Sequence, residues 1–193
     1  ALAVATLAIA LVATHWRAMP ALGLMLGVWL IAGGLIYLWT RVRRGAGRFS
    51  AKLAILPLAV WSMSLAHVGA GVLTLGAVAE TAFRSERAVA LAPGEAAAFA
   101  GRRVTLLEVG SIEGPSYSAT RANFRVDQAN GVARSVSAER RYFPTSPMPT
   151  TEVGILSGID GDLYFALGEQ VRGSNGAWTI RLYHNPLVHF IFI

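Results

Sequence analysis

Residues 53–79 contain no charged side chain and constrain this chain more than any other stretch: LAILPLAVWSMSLAHVGAGVLTLGAVA. A helix rises about 1.5 Å per residue and a bilayer core is about 30 Å thick, so roughly 20 apolar residues cross it. The stretch is expected to span a membrane as a helix, with His67 near its middle. An ionisable side chain at that depth is costly and is by default a functional hypothesis. One turn from His67 on the same face lie Met63, Ser64, Ala70 and Gly71, with Val60 and Thr74 a turn further out. Small residues there admit another helix closely, or leave room for something flat. Haem is flat, and a neutral imidazole is a common axial ligand of its iron. The competing reading is a histidine hydrogen-bonded to a neighbouring helix with no cofactor, and these residues alone leave both open.

The rest of the composition fits a membrane segment joined to a small domain. Of 193 residues 54% are apolar and 15% charged, which is too apolar for one ordinary soluble domain. The net charge of +6 rests on arginine, with Lys52 the only lysine. Its densest cluster, Arg41, Arg43, Arg44, Arg48 and Lys52, lies beside expected spans. Orientation and contact with membrane lipid headgroups explain it, so no nucleic-acid partner is expected. The positive-inside rule places residues 41–52 in the cytoplasm. Without cysteine, disulfides, thiol chemistry and zinc ribbons are excluded.

Four regions are expected. Residues 1–52 hold a partial first span, a second span at 21–40 and the basic loop 41–52. Gly23, Gly27, Gly33 and Gly34 are expected as close-packing positions of that second span. Residues 1–14 lack a basic leader and a cleavage site, so they do not read as a signal peptide. Trp16 and Arg17 read as interface anchors and His15 as a solvated neighbour. Residues 53–79 form the His-bearing span. Residues 80–186 form a periplasmic β domain, and 187–193 begin a further span. The chain starts and ends in apolar runs and reads as an excerpt of a longer protein.

Within 80–186, strands are expected at 87–91, 96–99, 103–109, 117–126, 132–142, 163–167 and 177–183, with a hairpin at Asn130-Gly131. That pattern predicts a small antiparallel barrel or sandwich. The fold class is therefore a membrane α-helical bundle fragment plus a small all-β periplasmic domain. Phe124, Val126, Val132, Tyr142, Tyr164, Trp178, Ile180 and Leu182 are its expected core. His184 and His189 read as interface anchors rather than ligands. No GxSxG, Walker loop or HExxH is present, so no hydrolytic or phosphoryl-transfer centre is legible.

The blocks WSMSLAHVGAGVLTLG, SERAVALAPGE, GPSYSATRANFRV, AERRYFPTSPMPTTEVGI, DLYFALGE and AWTIRLYHNPLVHF, in that order, resemble the C-terminal part of the CcmF family of membrane haem lyases. The nitrite-reductase-specific branch of the same superfamily shares them and is an alternative. The resemblance implies attachment of haem to apocytochrome c thiols at the periplasmic face of the bacterial inner membrane. It implies haem delivery by the chaperone CcmE, and a CcmH-type thiol-reducing subunit as partner. It further implies a resident haem b, held by two histidines on different helices, beside a transiently bound haem substrate. His67 matches one of those ligands. The second ligand, the tryptophan-rich haem-handling segment and its flanking histidines fall outside these residues, so the chain alone is not expected to be active. His184 and His189 match no ligand position. Arg140, Arg141 and Tyr142, with the proline-rich loop through Pro149, are read as a surface for a partner or for haem propionates, or as a loop that only closes the β domain. A non-enzymatic membrane scaffold with a partner-binding β module is the alternative from another class.

Overall fold

The computed structural model describes residues 2–15, 17–43, 48–128 and 131–192. Two compact units divide the chain: residues 1–83 with 186–193, and residues 84–185.

The first unit holds α1 (Leu2–Ala13), α2 (Ala18–Arg43), α3 (Phe49–Ala54) and α4 (Leu58–Phe83). α2 and α4 have 26 residues each and are long and apolar enough to cross a membrane. The histidine-bearing helix runs over 58–83 rather than 53–79. Pro57 is the reason. It has no N–H to donate and disfavours helical geometry at Leu56. The chain bends there, and α4 starts with Val60 N–H donating to the Pro57 carbonyl at 2.9 Å. The apolar run thus becomes a short helix and a long one.

Glycines set how α2 meets α4. A Cβ on Gly71 would lie 2.7 Å from the Gly27 carbonyl oxygen, and one on Gly34 would lie 2.8 Å from that of Ser64. Backbones approach this closely only where side chains are missing. Gly23 instead makes room for the Val78 side chain, whereas Gly33, also expected as a close-packing position, has nothing within 4 Å of a built Cβ. Near the end of α2, Arg41 lies over the Tyr37 ring (5.3 Å) and Arg43 over that of Trp39 (5.8 Å). Trp16, Arg44 and Asn130, each given a role above, lie outside the described residues. Val188–Ile191 forms one 3-10 turn, and a Cβ on Gly76 would meet that of Phe190 at 3.2 Å.

The second unit is a two-sheet sandwich. Its strands are β1 (Ser85–Leu91), β2 (Ala96–Phe99), β3 (Arg102–Glu113), β4 (Ser118–Asp127), β5 (Ala133–Tyr142), β6 (Thr150–Glu152), β7 (Gly154–Gly158), β8 (Gly161–Gln170) and β9 (Trp178–Pro186). The sheets run β1-β9-β8-β7 and β2-β3-β4-β5-β6. Alternation aims Ala122, Phe124 and Val126 of β4 and Leu163, Phe165 and Leu167 of β8 into one core. Phe124 and Phe165 meet there with ring centroids 5.3 Å apart.

β6 and β7 are two strands beyond those expected. They are one nearly continuous run that leaves β5 in one sheet and joins β8 in the other. Gly154 sits at the crossing, buried, where a Cβ would lie 2.5 Å from the Ser137 carbonyl oxygen. Three expected core residues are not core. Val132, just before β5, is 53% exposed, and Tyr142, its last residue, 43% exposed. Tyr164 lies between the inward Leu163 and Phe165, so alternation turns it outward. Phe124, Val126, Ile180 and Leu182 are buried as expected, and Trp178 packs against the core.

Candidate functional site

His67 is half-buried on α4, and its Nδ1 lies 2.9 Å from the Met63 carbonyl oxygen one turn earlier. A carbonyl only accepts, so Nδ1 carries the proton in the neutral ring. Nε2 then keeps its lone pair. Around the ring lies a cleft of about 230 Å³ lined by Gly33, Gly34, Tyr37, Met63 and His67. One wall is α2 at the Gly34 contact, and Gly33 leaves the space beside it open. Ser64, buried one turn before His67, has no hydrogen-bond partner for its Oγ among the described residues.

Among the described residues no three of His, Cys, Asp or Glu gather as a ligand set. Of the residues that line the cleft, His67 alone carries an imidazole. One imidazole is a poor cage for a bare ion, but it suits an iron whose other ligands come from a porphyrin and from elsewhere. The donor fits haem in that sense, while the cleft, smaller than the roughly 300 Å³ of a small-molecule site, would take only an edge of the macrocycle. Gly33 and Tyr37 were not legible as site residues from α4 alone, because they depend on the rotation of α2. The seven-residue interval between Gly27 and Gly34, two turns on one face, is the signal that places them.

The other histidines stand apart from any such set. His15 follows α1 with φ 49°, and His189 lies in the 3-10 turn. His184 is on β9, with Nε2 buried and lacking a partner among the described residues. Asp160 is held by Arg102 through contacts of 2.7 and 2.9 Å.

Arg140 and Tyr142 come together, and Arg141 stands apart from them. Alternation along β5 sends Arg140 and Arg141 to opposite faces. Arg140 bonds Glu169 at 3.0 Å, reaches the Gly168 carbonyl at 3.5 Å, and lies 5.8 Å from the Tyr142 ring centroid. Arg141 bonds Glu139 (2.8 Å) and Glu152 (3.1 Å) and lies 4.6 Å over the Tyr117 ring. Arg121 Nε also donates to Glu139, at 2.8 Å.

Burial pushes the Glu139 carboxyl upward, but hydrogen bonds and charge from Arg141 and Arg121 outweigh it and hold it below the ordinary 4.5. A depressed folded-state value means this stabilisation is complete above the unfolded value. It is lost as pH falls through the folded one. Wild type should therefore lose thermal stability on acidification below about pH 4.5 more steeply than Glu139→Gln. Parallel acid slopes in the two proteins would remove Glu139 as the cause.

Residues 82–186 match the family described as CcmF C-terminal beta-sandwich. Over 99% of its length the chain is 33% identical to the cytochrome c-type biogenesis protein ccl1 of Rhodobacter capsulatus, covering 28% of that protein. It is 31% identical to the cytochrome c-type biogenesis protein CcmF of Escherichia coli over 91% of the chain and 26% of the relative. The solved structure titled Cytochrome c Heme Lyase CcmF superposes with a TM-score of 0.69 at 17% identity, over 98% of this chain and 31% of that one, and so shares the fold. The chain thus spans about a quarter of the length of the curated relatives it matches. With its sandwich matched over more than half of its residues, the chain belongs to the CcmF family of cytochrome c-type biogenesis proteins.

Proposed function

We propose that this chain is part of a membrane haem lyase for cytochrome c maturation, in which His67 supplies one axial imidazole to a haem b within the membrane. The observation that carries the reading is the Nδ1 contact to the Met63 carbonyl at 2.9 Å, which leaves Nε2 free at a cleft in a spanning helix. The carbonyl orients the ring and raises its donor strength. Gly34 holds α2 against α4 beside it, and Gly33 leaves the room a flat ring needs. The second axial ligand comes from a helix outside these residues. Haem held by two such ligands would supply electron exchange rather than a substrate-binding iron.

The haem that is substrate passes from the chaperone CcmE to apocytochrome c thiols kept reduced by a CcmH-type subunit. The basic segment 41–52 faces the cytoplasm and the sandwich the periplasm, in the bacterial inner membrane. The 187–193 segment begins a further span. Arg140, Arg141 and Tyr142 offer surface to a partner or to haem propionates, on two different faces of β5.

The test is a reduced-minus-oxidised and pyridine haemochrome spectrum of the full-length parent in detergent, beside His67→Ala. A b-type, six-coordinate spectrum that the substitution abolishes or shifts is expected. The same haem in both proteins would place the ligand elsewhere. Folded proteins without haem would favour the scaffold reading.

A further inference from the structure

The split between β6 and β8 leaves two backbone edges facing one cleft. β7 pairs with β8 only from Gly158/Gly161 to Gly154/Phe165, so among the described residues β8 from Ala166 to Gln170 has no paired strand on that side. β6 ends its own sheet and pairs with β5 alone. Between them lies a cleft of about 680 Å³, the size of a ligand site rather than a surface wrinkle. Its floor is made of small residues, Ala166, Gly168 and Thr179, and Arg181 stands beside them. Arg181 is exposed, and its side chain makes no hydrogen bond or ion pair with the described residues. Arg140 reaches the Gly168 carbonyl at 3.5 Å, and its ion-pair partner Glu169 is 80% exposed. A pair so open to water holds weakly.

We propose that this cleft takes an extended peptide segment of a partner protein by strand addition, with a carboxylate side chain of that segment on Arg181. Unpaired strand edges are templates for such pairing in the absence of a cover. The free stretch of β8 is five residues long, about 17 Å at strand spacing. A small acid would satisfy Arg181 but leave both edges unpaired. A second copy is disfavoured because β6 has only three residues and Pro149 precedes it. The guanidinium selects for acid, and the two edges select for an extended backbone. The inference goes beyond the haem reading and does not depend on occupancy at His67.

The probe is a fluorescein-labelled Thr-Val-Glu-Val-Thr peptide, with Thr-Val-Lys-Val-Thr as control, titrated by anisotropy into the full-length parent in detergent. The acidic peptide should bind at least about tenfold tighter than the control, and Arg181→Glu should abolish that preference. Bound peptide should also slow amide exchange in both 150–152 and 166–170. His67→Ala should bind the peptide like wild type, which separates this result from the haem assay. No acidic preference overturns the proposal, as does binding without slowed exchange on both walls. Full protection of both walls before peptide is added overturns it too, since a segment of the parent itself would then fill the cleft.

Discussion

Phe124→Ala is expected to destabilise the sandwich by about 3–5 kcal/mol, a fifth or more of the stability of an ordinary domain. Phe124 is fully buried, on the inner face of β4, and its ring meets Phe165 of β8 across the two sheets. Truncation removes that ring pair and most of the apolar area of the side chain, and leaves a cavity between layers that the hydrogen-bonded strands on both sides resist closing. β4 is paired along its whole length with β3 and β5, so collapse would have to move three strands together. Amide exchange of β4 and β8 in the intact chain reads the effect. Protection should fall by roughly two to three and a half decades in both strands, at about 1.4 kcal/mol per decade. A fall of less than one decade would mean that the site repacks and that the ring pair is not the centre of the core.

How much of this was legible beforehand follows from period. β4, with Ala122, Phe124 and Val126 inward, and β9, with Ile180 and Leu182 inward, alternate cleanly and read correctly as strands with those core residues. β6 was not legible because all three of its residues are exposed and carry no hydrophobic alternation. β7 opens on a buried glycine that looks like a turn residue until the crossing to the other sheet explains it. Tyr142 and Tyr164 were counted inward as aromatics, although period alone excludes Tyr164. The same period separates Arg140 from Arg141, which a run of like charges conceals. On the helical side, a long apolar helix carrying the histidine was legible from residue type. The start of α4 was not, because Pro57 sits inside an unbroken apolar run. The cleft partner on α2 required knowing which face of that helix turns toward α4, and apolarity around the whole helix gives no such face.

That helix pairing leads to the second large effect, a contrast between two neighbouring glycines. Gly34→Leu should loosen α2 from α4 and weaken haem retention by about 10–100-fold, the range expected when the groups that orient a metal ligand are displaced. A Cβ at residue 34 would lie 2.8 Å from the Ser64 carbonyl oxygen and 3.1 Å from the His67 Cβ. The first is backbone and cannot rotate away, so the helices must part, and the second is the stem of the proposed ligand. Gly33→Leu meets nothing within 4 Å at its Cβ, but grows from a residue that lines the His67 cleft. It should therefore leave thermal stability in detergent near that of wild type while reducing haem content. Two readouts on two variants separate the roles: residue 34 moves both stability and haem, and residue 33 moves haem alone. Equal stability losses at both positions would show that α2 packs on α4 in another rotation. Unchanged haem in Gly33→Leu would show that the flat group does not enter the cleft from the Gly33 side, whatever His67 ligates.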